Sequence, residues 1–117
     1  MNYKKLLPNL KYRALVRAPK RDYHVLEGEQ YYVVFSPKNG ETGNYTIVPK
    51  KAVNFIVKKL GGARGNTTAE VWNACKGSKY FPDKFSVLTA VYALIAAKGA
   101  KISKQEGTKL FFNIWKD

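Results

Sequence analysis

Acidic residues are scarce in this sequence. Eight Asp and Glu stand against 21 Lys and Arg in 117 residues, a formal net charge of +13. A chain so unbalanced repels itself on folding and attracts anionic partners: nucleic acid, an acidic membrane surface or an acidic protein. Of the few carboxylates only Glu27 and Glu29 lie close together, so a metal-dependent nuclease has little to build on. Cysteine and histidine are scarcer still. Cys75 alone excludes an internal disulfide, and with His24 it cannot assemble a zinc site within the chain. A nucleophilic site would have to recruit His24 from a Lys/Arg-rich segment or Cys75 from inside a helical pattern. An exposed histidine and a small buried residue account for both more simply.

Other signatures are missing too. There is no Walker-type phosphate loop and no GxGxxG. The run Gly61-Gly62-Ala63-Arg64-Gly65-Asn66 precedes a helix start that could hold a phosphate, although a connector between helices explains it as well. No apolar run approaches the roughly 18 residues of a membrane span; Phe85 to Ala97 is broken by Ser86, Thr89 and Tyr92. The first residues, Met1 to Pro8, are basic without the apolar region of a secretory signal. These absences lead us to expect a non-enzymatic, cofactor-free protein with no metal and no membrane partner, cytoplasmic or associated with a nucleoid.

What is present is a core. Hydrophobic residues make up 45% and aromatics 14%, enough to exclude wholesale disorder, and the length suits one domain, 1–117. Arg13 to Ala18 reads as a strand stopped by Pro19, followed by a polar loop from Lys20 to His24. Gln30 to Ser36 carries Tyr31-Tyr32-Val33-Val34-Phe35, the strongest strand signal in the chain. Turn chemistry at Ser36 to Gly40 brings Asn44 to Val48 back as a hairpin arm. Pro49 opens a helix with Val53, Ile56, Val57 and Leu60 at helical spacing, closed by Gly61-Gly62. Thr67-Thr68-Ala69-Glu70 has the form of a capping box. Pro82-Asp83 opens a longer helix that Gly99 closes, and Ala100 to Trp115 forms a last hairpin. The expected fold is α+β: a single domain with one antiparallel sheet of about five strands and three helices, in the order β-β-β-α-α-α-β-β.

Placing the more apolar face of each strand inward buries Tyr12/Ala14/Val16, Tyr31/Val33/Phe35, Tyr45/Ile47 and Leu110/Phe112/Ile114. The face left outside mixes cations with rings and carries no acid: Arg13, Leu15, Arg17, Tyr32, Val34, Thr46, Val48, Lys109, Phe111 and Trp115. Phosphates need positive charge and unstacked bases need flat π-faces, so such a face suits single-stranded nucleic acid. Lys51 and Lys58 on the first helix, Lys20 and Arg21 in the loop and Lys38 in the hairpin extend the basic surface. The expected contacts are therefore Arg13, Arg17, Lys20, Arg21, Lys38, Lys51, Lys58 and Lys109 to phosphates, and Tyr32, Phe111 and Trp115 to bases. If helices roof the face, Phe111 and Trp115 become a second core layer.

Two rival functions stay open. The order from Asn66 to Trp115 is that of a winged helix, whose second helix reads the major groove of duplex DNA; here that helix, Asp83 to Lys98, is nearly all apolar, which argues for burial. A basic protein–protein adaptor or ribonucleoprotein subunit is the other. The basic, aromatic strand block (Tyr31 to Phe35), the Pro-led helix (Pro49-Lys50-Lys51-Ala52-Val53), the apolar helix Leu88 to Gly99 and the closing strand Leu110 to Trp115 together resemble the ThermoDBP family of thermophilic archaea. That resemblance implies binding of single-stranded DNA, or of RNA as in its relatives, through a sheet packed with helices. Some members form homodimers through a C-terminal zipper, which this sequence does not show after Trp115.

Overall fold

The structure is a computed structural model that describes residues 10–39 and 42–116. Its first half is a meander. Strands β1 (Lys11–Arg17), β2 (Asp22–Glu27), β3 (Tyr31–Asn39) and β4 (Thr42–Pro49) pair in chain order into one antiparallel sheet. Then follow α1 (Lys50–Leu60), β5 (Asn66–Thr67), α2 (Thr68–Cys75), α3 (Lys84–Ala96), β6 (Ala100–Glu106) and β7 (Lys109–Ile114), with a second antiparallel sheet in the order β5-β7-β6. The α+β class and the three helices agree with expectation. The single five-stranded sheet does not: the described residues form seven strands in two sheets, in the order β-β-β-β-α-β-α-α-β-β.

The additional strands are β2 and β5. Of the segment expected as a loop, Lys20 to His24, the last three residues are already strand β2, where Tyr23 and Val25 are buried while Asp22 is exposed. That alternation is the mark of a half-buried strand, but Lys20-Arg21-Asp22 crowds it with charge. Strand β5 is only two residues, held by pairing with Phe111 and Phe112.

The faces of β3 and β4 are the reverse of those expected. Val25 on β2 pairs with Val34, and Tyr32 pairs with Val48; Tyr32, Val34 and Val48 belong to the main core, beside Val16 and Tyr23. Tyr32 is therefore 7% exposed rather than part of an outer surface. Tyr12, Tyr31, Phe35, Tyr45 and Ile47 lie on the other face, together with Leu26 and Val33, which are buried there. Five consecutive apolar or aromatic residues on β3 offer no polar position to say which side is which, and a one-residue choice flips every side chain.

The helices start where the chain says they should. Thr67 Oγ1 accepts from Glu70 N at 3.2 Å, and Glu70 Oε1 accepts from Thr67 N at 2.9 Å, so the capping box is formed. Asp83 caps α3 by accepting from Ser86 N at 2.8 Å. Helix α1 has no acid in its first turn, where its dipole would favour one. Glu27 supplies the charge from β2, accepting from Lys50 and from Arg13. Lys50 first, then Arg13, holds that carboxyl below its ordinary range against the opposing effect of burial.

Helix α3 is the axis of the domain. Eight of its 13 residues are buried, and it packs against all four strands of the first sheet, against α1 and α2, and against β6. Tyr92 at its middle meets Tyr23 with ring centroids 4.6 Å apart. From α1 onward the element order, with β7 between β5 and β6, is that of a winged helix whose wing is the β6–β7 hairpin. The helix such a fold would lay in a groove is α3, and the first sheet covers it. Lys84 and Phe85, at its N-terminal end, are its only exposed residues.

Candidate functional site

A cleft of about 800 Å³ opens between α1, the turn after α3 and the end of β7. Helix α1 sends Lys51, Asn54 and Lys58 into it, because its apolar side (Ala52, Val53, Ile56) is buried in the core. Lys98 enters from the turn after α3, and Trp115 and Lys116 enter where β7 ends. Tyr32 forms part of the floor. Trp115 is 40% exposed, an unusual state for an indole next to a core; its backbone N–H donates to Gly99 O at 2.9 Å, and Lys101 Nζ lies 5.7 Å from its ring centroid. Four lysines and no carboxylate line the cleft among the described residues. Such a site repels cations and gives an anion charge-assisted hydrogen bonds beside a flat aromatic face.

Lys98 stands out within this group. It is the one described non-glycine residue with a left-handed backbone, at φ 65°. Its N–H donates to Ile95 O at 2.9 Å and that of Gly99 to Leu94 O at 2.8 Å, closing α3 at a position where glycine is usual. The sequence points to Gly99 as the helix stop; the geometry puts the left-handed position one residue earlier, at Lys98. Lys98→Gly is expected to leave stability unchanged or raise it by up to about 1 kcal/mol, while weakening anion binding in the cleft. Urea unfolding alongside a binding titration checks this; a loss of stability would make Lys98 a structural residue.

The outward face of the second sheet continues from Trp115. Strand β7 alternates Leu110, Phe112 and Ile114 inward with Lys109, Phe111 and Asn113 on the other side. Lys104 and Lys109 each lie 5.6 Å from the Phe111 ring, which is half-buried beneath them. The acid on this wing, Glu106, is ion-paired with Lys104 at 2.9 Å, and the Lys104 hydrogen bond lowers its carboxyl from the ordinary range. Beyond Lys109 is a second cleft, of about 400 Å³, bordered by Lys20, Arg21, Lys84 and Lys109 over the rings of Tyr23 and Tyr92.

The structure thus brings Lys51, Lys58 and Trp115 to the first cleft and Lys20, Arg21 and Lys109 to the second, with Phe111 on the wing beside Lys109. Tyr32 is a buried floor residue whose ring also lies under Lys50 Nζ at 5.4 Å. Arg13 is not with the others; it is paired with Glu27. Arg17 is exposed opposite Asp22 on the first sheet, and Lys38 is exposed near the β3–β4 turn. The chain matches no family model, no curated protein and no solved structure.

One surface was not anticipated at all. On the face of the first sheet away from α3, four rings cross its four strands: Tyr12 to His24 at 5.7 Å, His24 to Phe35 at 6.2 Å and Phe35 to Tyr45 at 4.7 Å. Tyr12 Oη is 2.8 Å from His24 Nδ1, and Ile47 beside the row is 64% exposed. Among the described strand residues, the alternation of this face adds Arg17 and Asp22 as charged neighbours.

Proposed function

We propose that this protein binds single-stranded nucleic acid, DNA or RNA, with little sequence preference, and that it does so without catalysis. The observation that carries this is the exposed Trp115 ring at the mouth of a cleft lined by Lys51, Lys58, Lys98 and Lys116 with no carboxylate among its described residues. The lysines neutralise phosphates. Trp115, and Phe111 once its lysines turn toward phosphates, offer faces to unstacked bases, a sequence-tolerant contact worth roughly 1–3 kcal/mol per base. Duplex binding through a groove-reading helix is disfavoured because α3 is covered by the first sheet. A second reading, a protein adaptor, rests on the ring row of the first sheet with exposed Ile47.

Fluorescence anisotropy with a labelled oligothymidylate, its uridylate counterpart and a duplex of equal length separates these readings. Neutralising about five phosphates gives a log–log salt slope near −3.5 for single strands. The expected result is that slope, with the duplex at least about tenfold weaker than the single strand because its faces are hidden in the stack. Equal affinity for duplex and single strand would contradict the stacking role. Binding that ignores oligonucleotide length would favour the adaptor.

A further inference from the structure

We infer that the cleft at the β1–β2 turn is a second phosphate-binding site, which holds the continuation of a strand already seated on Trp115. This rests on the single-strand reading above and adds a path across the domain. Four cations from three distant parts of the chain converge there: Lys20 and Arg21 from the turn, Lys84 from the start of α3 and Lys109 from the start of β7. Among the described residues none of the four is in an ion pair. Gathering like charges costs energy unless an anion offsets it.

The nearby acids are turned to other tasks. Asp22 lies on the opposite face from Tyr23, in register with Arg17. Asp83 accepts from Ser86 N at the α3 cap, and Glu70 accepts from Thr67 within the α2 capping box. The cleft floor differs from that of the first site, because Tyr23 and Tyr92 are buried and offer no open face for a base. The geometry fits sugar-phosphate backbone and not nucleobase.

Lys109 links the two sites. It borders the second cleft and also lies over Phe111, and β7 leads from there to Trp115 at the first cleft. Trp115 lies six residues beyond Lys109 along extended chain, a span of about 20 Å. A short strand can reach Trp115 and the first cleft alone; only a longer one reaches Lys20 and Arg21.

The test pairs two variants with two lengths. Lys20→Ala/Arg21→Ala alters exposed turn residues, so folding is retained, which circular dichroism verifies. Oligothymidylates of about 6 and about 12 nucleotides bracket the path, within the usual range of single-strand site sizes. The double variant is expected to bind the longer oligonucleotide about tenfold more weakly, with a salt slope shallower by about 1.4, two phosphates' worth. Its affinity for the shorter one stays that of the wild type. An unchanged affinity for the longer oligonucleotide, or an equal loss at both lengths, would overturn the path and leave the Trp115 site standing. Failure of the wild-type protein to bind either length would overturn the single-strand reading and the path together. Lys76→Ala, exposed and outside both clefts, serves as the charge control and is expected to change neither length by more than about twofold.

Discussion

Trp115→Ala is expected to weaken binding of a single-stranded oligonucleotide by about 1–3 kcal/mol, roughly 5- to 150-fold. The size of the effect follows from the position of the ring. Trp115 lies at the end of β7, where its backbone N–H is tied to Gly99 O and its indole is partly in solvent beside Lys101. Removing the side chain keeps the backbone bond and opens no sealed cavity, so stability should fall by no more than about 1 kcal/mol. Trp115→Tyr keeps a π-face and should recover part of the affinity. A core role gives the opposite pair of results: a stability loss of several kcal/mol, as for buried aromatic truncations, with binding per folded molecule unchanged. Affinity and urea unfolding measured on the same preparations distinguish the two.

The largest stability effect is expected at Tyr92. Its side chain is 2% exposed, and its ring stacks near Tyr23 between α3 and the first sheet. Burial, and then the nearby Tyr23 phenol, pushes the Tyr92 hydroxyl well above the ordinary tyrosine range. Tyr92→Ala removes the ring where α3 meets β2 and should cost about 3–5 kcal/mol, a large share of the 5–15 kcal/mol that typically holds a domain together. Tyr92→Phe keeps the packed volume and should cost only about 1 kcal/mol. Because α3 touches both halves of the domain, both should be lost in a single transition in urea. A two-step transition in Tyr92→Ala, with the second sheet surviving the first, would show that α3 does not unite them.

These two residues also show what the chain makes legible. Tyr92 sits in a helix whose apolar residues run nearly all round, a pattern of full burial that needs no structure to interpret. The helix starts were equally readable, because Thr67/Glu70 and Asp83 are chemical devices that act over three residues. Tyr32 is the contrary case. On β3 both faces are apolar, and only the pairing of Val25 with Val34 and of Tyr32 with Val48 decides that Tyr32 points into the core. Pairing is a long-range choice, and local alternation carries no trace of it.

The candidate site divides along the same line. Lys51 and Lys58 were legible because helical spacing puts them opposite the apolar side of α1, and Trp115 because it closes an alternating strand. Arg13 was not, since its partner Glu27 comes from another strand through an irregular β1 register. Nor could the sequence divide the strands between two sheets, which turned one imagined platform into a wing, two clefts and a separate row of rings. Lys98 needed the backbone angle itself.

The most direct measurement follows the two indole N–H signals by NMR while single-stranded oligothymidylate is added. Trp72 is half-buried on α2, and Trp115 lies in the basic cleft. The account predicts that the Trp115 signal shifts and saturates with added oligonucleotide while that of Trp72 stays in place. Saturable binding with Trp115 unmoved would contradict it.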